Sequence, residues 1–113
     1  MSASIPSTVI CRYQVKPGKQ SEFEALLARH WPTLHAAGLV SERRAVAYRG
    51  LPSGKPDERH GAERVYVEIF EWNDEQASGR AHRSPEVMAI WEPMGACCDD
   101  MDFPHFEPLP LGG

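Results

Sequence analysis

The sequence has few cysteines and no long apolar run. Its three cysteines, Cys11, Cys97 and Cys98, are an odd number with one adjacent pair, which is a poor basis for a disulfide framework. We therefore expect a reduced, cytoplasmic protein. No segment approaches the roughly 18 consecutive apolar residues that a transmembrane helix needs. The first residues also lack the basic and apolar stretches of a secretory signal, so we do not interpret them as one.

The sequence also lacks an excess of positive charge. Lysine and arginine number 12 against 16 aspartates and glutamates, which gives a formal net charge of −4. Nucleic acids and anionic membranes bind clustered positive charge, so this balance argues against both partners. The 113 residues suit a single domain spanning residues 1–113, with its core between about residues 8 and 109.

Several short catalytic and metal-binding motifs are missing as well. The sequence contains no His-Glu-x-x-His, no Gly-x-Ser-x-Gly, no Cys-x-x-Cys and no phosphate-binding glycine loop. The acidic segment from Cys97 to His105 has metal-capable side chains, but its spacing matches no standard zinc or calcium loop. We interpret it as a solvated helix end and expect neither a metal nor another cofactor.

Alternating apolar and polar residues predict two long strands. In the first, residues 8–16, one face is formed by Val9, Cys11, Tyr13 and Val15. In the second, residues 64–72, both faces are apolar: one carries Val65, Val67 and Ile69, and the other carries Tyr66, Glu68, Phe70 and Trp72. A strand that is apolar on both faces is covered on both faces.

Helical spacing predicts two helical regions. The first begins with Ser21 as N-cap and stops at Gly38, and Pro32 inside it is expected to kink or restart the helix. The second opens at residues 73–75 and is capped again by Ser84 and Pro85. Its apolar spacing continues to Cys98, and Pro93 is expected to bend the helix or to end its regular part.

The order of these elements predicts the fold. A weaker strand within residues 39–50, centred on 45–49, a surface loop at 50–61 and a short edge strand at 103–109 complete the series strand, helix, strand, strand, helix, strand. This is the α+β, ferredoxin-like βαββαβ plan, a four-stranded antiparallel sheet with two helices on one face. The apolar second face of the sheet predicts a homodimer in which sheet packs on sheet.

Two stretches of sequence carry a family resemblance. The strand segment at 67–72 continues into Asn-Asp-Glu-Gln-Ala at 73–77 and then into Ala-His-Arg-Ser-Pro at 81–85. Lys-Pro-Gly-Lys at 16–19 precedes Glu22 and Phe23. This pattern resembles the antibiotic biosynthesis monooxygenase (ABM) family. The resemblance implies a dimeric α/β barrel, with His82 as the motif residue at its site.

The activities implied by the resemblance are varied. They include cofactor-free oxygenation of aromatic polyketides, haem degradation and isomerisation of small signalling molecules. The first strand has Cys11, Arg12 and Tyr13 where the haem-degrading branch has an asparagine, which argues against haem chemistry.

Three residues are candidates for catalysis, namely His82, His30 and Glu68. His82 either lines the mouth of a ligand pocket as a proton acceptor or hydrogen-bond donor, or caps and packs a helix. His30 lies on the apolar stripe of the first helix, as a core residue or a pocket residue. Glu68, in a central strand, needs a partner. An arginine is favoured for that role, and His30 is the alternative; the candidate arginines are Arg12, Arg49 and Arg64.

Four aromatic residues are candidates for ligand binding: Trp91, Tyr48, Trp72 and Tyr13. Together these observations support three hypotheses of different kinds. The first is an ABM-like homodimer that binds a small apolar or aromatic molecule between sheet and helices, with cofactor-free monooxygenation as its reaction. The second is a homodimer that binds a small ligand without catalysis. The third is a structural module whose pocket is filled with side chains.

Overall fold

The computed structural model describes residues 7–52 and 62–112. Its elements follow the predicted order, with one additional strand, Cys98–Asp102, before the predicted last strand. They are β1 (Ser7–Val15), α1 (Gln20–Ala36), β2 (Val46–Arg49), β3 (Val65–Trp72), α2 (Ala77–His82), α3 (Pro85–Ala96), β4 (Cys98–Asp102) and β5 (His105–Phe106). Residues 53–61 of the predicted surface loop lie outside the described residues.

The sheet has the strand order β2-β3-β1-β4, and its paired strands are antiparallel. β5 pairs with the start of β1, beside β4. This order confirms the ferredoxin-like α+β prediction, and the sheet of the single chain is open rather than closed into a barrel. The register places Cys11 opposite Glu68 and Tyr13 opposite Tyr66.

The helices cover the sheet face that carries Tyr13 and Glu68. On β1 and β3 the buried residues alternate with less buried ones, as the strand period of two requires. The core therefore lies between this face and the inner sides of α1 and α3. Its largest members include Tyr13, Phe23, Leu34, Tyr66, Phe70, Trp72 and Met94.

Helix α1 differs from its prediction at two points. It begins at Gln20 with Lys19 as N-cap and no side-chain cap, so Ser21 does not cap it. It also continues through Pro32 as a single helix, so the predicted restart there is wrong. Pro32 leaves the carbonyl of Ala28 without its helical donor, and Ala28 is exposed, so water can replace that donor. The predicted stop is confirmed, because Gly38 has a φ of +73° beyond the C-cap.

Helix α3 begins as its sequence predicts. The Ser84 hydroxyl accepts a hydrogen bond from the Val87 N–H at 3.3 Å, and Pro85 occupies the first turn. The helix runs through Pro93 and ends at Ala96.

The chain after α3 corrects two predictions. Cys98–Asp102 forms strand β4 rather than a solvated helix end, and the predicted strand at 103–109 is reduced to His105–Phe106. β4 lies at the sheet edge, where acidic side chains such as Asp100 and Asp102 remain exposed and compatible with a strand. Pro104 cannot donate to β1, but its carbonyl accepts from the Ile10 N–H at 3.1 Å.

Candidate functional site

A cavity of about 220 Å³ lies between the sheet and the helices. Five of the seven predicted site residues line it: Tyr13, His30, Trp72, His82 and Trp91. The lining also includes residues that we did not predict, namely Val9, Cys11, Phe70, Ser78, Met94, Met101, Phe103 and His105. The wall is therefore mainly apolar and aromatic, with a few polar groups.

His30, in this wall, forms a buried pair with Glu68 behind it. His30 projects from the buried side of α1, and Glu68 projects from the helix-covered face of β3. The His30 Nδ1 lies 2.8 Å from the Glu68 Oε1 and 3.0 Å from the Oε2. The two side chains are only 3% and 2% exposed. A hydrogen-bonded partner is what a carboxylate needs at this depth.

Tyr13 completes the surroundings of the carboxylate. Its hydroxyl donates to the Glu68 Oε1 at 2.9 Å. Burial, and then the charge of Glu68, raise the pKa of Tyr13 well above its usual value. The same two causes raise the pKa of the Cys11 thiol. Both groups therefore stay protonated at neutral pH, and Tyr13 remains a donor to Glu68.

The favoured arginine partner for Glu68 is wrong, because the candidate arginines make other contacts. Arg12 points to the other face of β1, where its cross-strand partner is Val67. Arg49 bonds Glu24 at 2.8 Å, and Arg64 donates to the Val15 carbonyl at 2.8 Å. The alternative pair, with His30, is the one that the structure contains.

Trp91 fixes the tautomer of His30. The Trp91 Nε1 lies 2.7 Å from the His30 Nε2. An indole N–H only donates, so the Nε2 accepts and carries no proton. The Nδ1 then carries the proton and donates it to Glu68. The imidazole is thus neutral, with its lone pair on the nitrogen that faces the cavity side.

His82 lies at the other side of Trp91. It is the last residue of α2 and is exposed at the mouth of the cavity. Its ring meets the Trp91 ring edge to face, with centroids 4.9 Å apart and an interplanar angle of 67°. The indole therefore stands between the buried and the exposed histidine.

Trp72 offers a hydrogen-bond donor without an acceptor. Its side chain lines the cavity, and the residue is 3% exposed. The buried Nε1–H has no hydrogen-bond partner among the described residues. A buried donor of this kind is costly unless another molecule supplies an acceptor.

A second, open groove lies on the other side of the His30–Glu68 pair, between α1 and β2. Glu68 lines this groove but not the cavity, whereas His30 lines the cavity but not the groove. The pair therefore spans the wall between the two spaces. Tyr48, a predicted ligand-binding residue, lies outside the cavity. It borders the groove at the edge strand, on the sheet face opposite Glu68, and 61% of its surface is exposed.

Some of the missed cavity residues had a readable signal. Val9 and Cys11 alternate with the predicted Tyr13 along β1, so they share its face. Phe70 shares the face of Glu68 and Trp72 in the same way. Met101, Phe103 and His105 had no such signal, because the short strands around Pro104 show no clear alternation.

No group of three or more histidines, cysteines, aspartates or glutamates in the described part of the chain is placed to hold a metal ion. Within residues 7–52 and 62–112, no helix has both the length and the apolar content that a membrane crossing requires.

Comparison with known proteins identifies the fold. No protein-family model and no curated protein matches the chain. Among solved structures, SnoaB, a cofactor-independent oxygenase from Streptomyces nogalater, aligns over 96% of this chain and 98% of its own, with a TM-score of 0.70 and 23% identity. A structure described as an antibiotic biosynthesis monooxygenase covers 92% and 99%, with a TM-score of 0.69 and 14% identity. The fold is that of the antibiotic biosynthesis monooxygenases.

The ABM fold extends over nearly the whole chain. A Pseudomonas aeruginosa protein aligns over 97% of this chain and 100% of its own, with a TM-score of 0.71 at 16% identity. The likeness thus includes the helices and strands that surround the cavity. At such low identities it describes the backbone, and the chemistry has to be argued from the residues of this chain.

Proposed function

We propose that this chain binds a small aromatic molecule in the cavity and oxygenates it without a cofactor, with His30 as the base. The observation that carries the proposal is the Glu68–His30 pair. A buried carboxylate orients the imidazole through Nδ1 and leaves the lone pair on Nε2, the arrangement that general-base catalysis uses. The ABM fold supports it, since SnoaB is a cofactor-independent oxygenase.

The size of the cavity favours a ligand of one or two rings. An engineered apolar cavity of about 150 Å³ holds benzene, and drug-sized ligands occupy roughly 300–1,000 Å³. The cavity here, at about 220 Å³, lies between these sizes. Its aromatic walls, including Phe70 and Trp72, suit a flat apolar molecule.

The proposed reaction converts a phenol into a quinone. The Nε2 of His30 accepts the proton of the phenol hydroxyl. The phenolate that results carries part of its negative charge on the carbon para to its oxygen. That carbon bonds O₂ in two one-electron steps, and His30 returns the proton to give a hydroperoxide. Loss of water leaves a carbonyl, so one C–H becomes C=O and the second oxygen atom of O₂ leaves as water.

Two further residues have roles in this proposal. Trp72 contributes its indole to the aromatic wall against which a flat ligand packs. His82, at the mouth, is the second candidate base, because its exposed ring exchanges protons with water.

A non-catalytic ligand-binding role is the alternative. The observation that favours it is the indole of Trp91, which occupies the lone pair of the base in the unliganded chain. In that case the protein binds the molecule in its cavity and consumes no O₂.

We also propose that the chain forms a homodimer through the uncovered face of its sheet. The register places Val46 and Tyr48 of β2 on the same face as Val67 and Ile69 of β3. Val46 is 47% and Tyr48 is 61% exposed. An apolar sheet face of this kind is stabilised by burial, and a second copy offers a self-complementary surface.

Oxygen uptake with 1-naphthol as probe tests the catalytic proposal. We expect one O₂ consumed for each 1,4-naphthoquinone formed, and a rate roughly 10²-fold or more lower for His30→Ala. His35→Ala is the matched control, since His35 lies on the same helix but bonds the exposed Glu42. His82→Ala separates the two candidate bases. Binding of 1-naphthol without O₂ uptake would establish the non-catalytic alternative.

A further inference from the structure

The hydrogen bond between Trp91 and His30 occupies the atom on which the proposed function depends. The Trp91 Nε1–H is directed at the His30 Nε2 at 2.7 Å, and Glu68 holds the other ring nitrogen. Both nitrogens of the base are therefore engaged in the free chain. One lone pair accepts one good hydrogen bond, so a ligand cannot give a proton to Nε2 while the indole remains in place.

We propose that Trp91 is a positioning residue that selects ligands by their hydrogen-bond donor, an inference that rests on the proposed function. In the free chain its N–H holds His30 as the Nδ1–H tautomer. A ligand reaches Nε2 only by displacing this N–H with a stronger donor. A phenolic or enolic hydroxyl is more acidic than an indole N–H and makes the stronger bond. An ether or a ketone has no donor and leaves the Trp91–His30 bond intact.

The position of Trp91 allows this exchange. Trp91 is half-buried, in contrast to His30 and Glu68, which are 3% and 2% exposed. It lines the cavity itself, so a ligand in the cavity contacts the indole directly. On its other side the indole contacts the exposed ring of His82 rather than a buried core residue. The proposed exchange therefore assigns the movement to the half-buried indole and not to the buried pair.

Nuclear magnetic resonance of ¹⁵N-labelled protein tests the free state. Long-range ¹H–¹⁵N correlations report which imidazole nitrogen carries the proton. We expect His30 to be protonated on Nδ1 and unprotonated on Nε2, and the Trp91 indole N–H to resonate far downfield. A proton on the His30 Nε2 in the free protein would overturn the inference without any ligand experiment.

Anaerobic titration with two probes tests the selection. 1-Naphthol carries a hydroxyl, and 1-methoxynaphthalene has the same rings without a donor. We expect 1-naphthol to move the Trp91 indole resonance upfield and 1-methoxynaphthalene to leave it near its original position. If 1-naphthol binds and the Trp91–His30 bond persists, the inference fails while binding in the cavity stands. If neither probe binds, the proposed ligand class fails and the inference fails with it.

The variant Trp91→Phe provides a second test. It removes the competing donor, so we expect 1-naphthol to bind roughly three- to tenfold more tightly, the equivalent of one net hydrogen bond. The change in affinity for 1-methoxynaphthalene, which has no donor, measures the effect of the altered packing alone and is subtracted from the change for 1-naphthol. Trp31→Phe is the matched control, because Trp31 lies on α1 and lines the groove rather than the cavity. Equal changes for both probes in Trp91→Phe would overturn the inference.

Discussion

His30 and Glu68 lie 38 residues apart in the sequence, and their side chains meet across the boundary between helix and sheet at 2.8 Å. One comes from the buried side of α1 and the other from the central strand β3. The imidazole of His30 and the carboxylate of Glu68 each supply the hydrogen-bond partner that the other buried side chain needs. The pair therefore connects the two layers as well as preparing a base.

Removing the carboxylate should destabilise the fold. In Glu68→Ala, the Tyr13 hydroxyl and the His30 Nδ1–H lose their acceptor in the core. Each unsatisfied donor costs about 1–3 kcal/mol, so we expect the free energy of unfolding to fall by about 2–6 kcal/mol. Urea unfolding measures it. Glu68→Gln keeps an acceptor oxygen and should lose much less; equal losses in the two variants would contradict the hydrogen-bond explanation.

Alkaline pH should destabilise the protein through Cys11 and Tyr13. Burial raises both pKa values above those of the unfolded chain, which are about 8.5 for Cys and about 10 for Tyr. The unfolded chain therefore releases these protons first as the pH rises. The free energy of unfolding should be at its full value below about pH 8 and should fall above it.

Urea unfolding at a series of pH values between 7 and 11 measures this slope. Cys11→Ala should make the slope shallower above about pH 8.5, where an unfolded thiol ionises. Cys98 adds to the slope in the same way, and its contribution ends near pH 11, because burial raises its pKa to about 11. A slope unchanged in Cys11→Ala would show that this thiol is not responsible.

Two glycine substitutions should change stability in opposite directions. Gly79 lies inside α2, and an added Cβ would come no closer than 3.8 Å to the end of the Arg83 side chain. Gly79→Ala should stabilise the protein by about 0.5–1 kcal/mol. Gly38 has a φ of +73°, so Gly38→Ala should destabilise it by about 1–2 kcal/mol. Thermal unfolding compares the two, and changes of the same sign would contradict the backbone argument.

A charge on the uncovered sheet face should separate the proposed dimer. Tyr48 is 61% exposed and lies opposite Val67. We expect a dimeric mass for the unmodified protein at micromolar concentration, and a monomeric mass for Tyr48→Glu. Light scattering after size exclusion measures both. Ala89→Glu is the control, because Ala89 is exposed on helix α3. A monomeric unmodified protein would remove the argument for sheet-on-sheet packing.

The sequence predicts the layers of this fold better than the contacts between them. Alternation depends only on a strand period of two, so it correctly placed Tyr13 with Cys11 on one face of β1, and Glu68 with Trp72 on one face of β3. Helical spacing likewise placed His30 and Trp91 on the buried sides of α1 and α3. Both patterns follow from local geometry and burial, and local geometry can be read from the chain.

The pairing of His30 with Glu68 depends on how the helix is offset along the sheet, and no local pattern records that offset. The preference for an arginine failed for this reason. The strand at Cys98–Asp102 was missed for a different reason. An edge strand with acidic side chains lacks the alternation of apolar and polar residues that marks a half-buried strand. The predicted restart of the helix at Pro32 was wrong because proline disfavours a helix interior but does not prevent one where the carbonyl that loses its donor can bond to water.

The wall between the cavity and the groove also keeps two spaces apart. A ligand in the cavity contacts this wall on the imidazole side, where His30 lies. Glu68 lines the open groove on the opposite side, although its side chain is only 2% exposed. The two members of the pair therefore face different spaces, so a substitution in the groove can alter the surroundings of Glu68 without changing the surface that a ligand in the cavity meets.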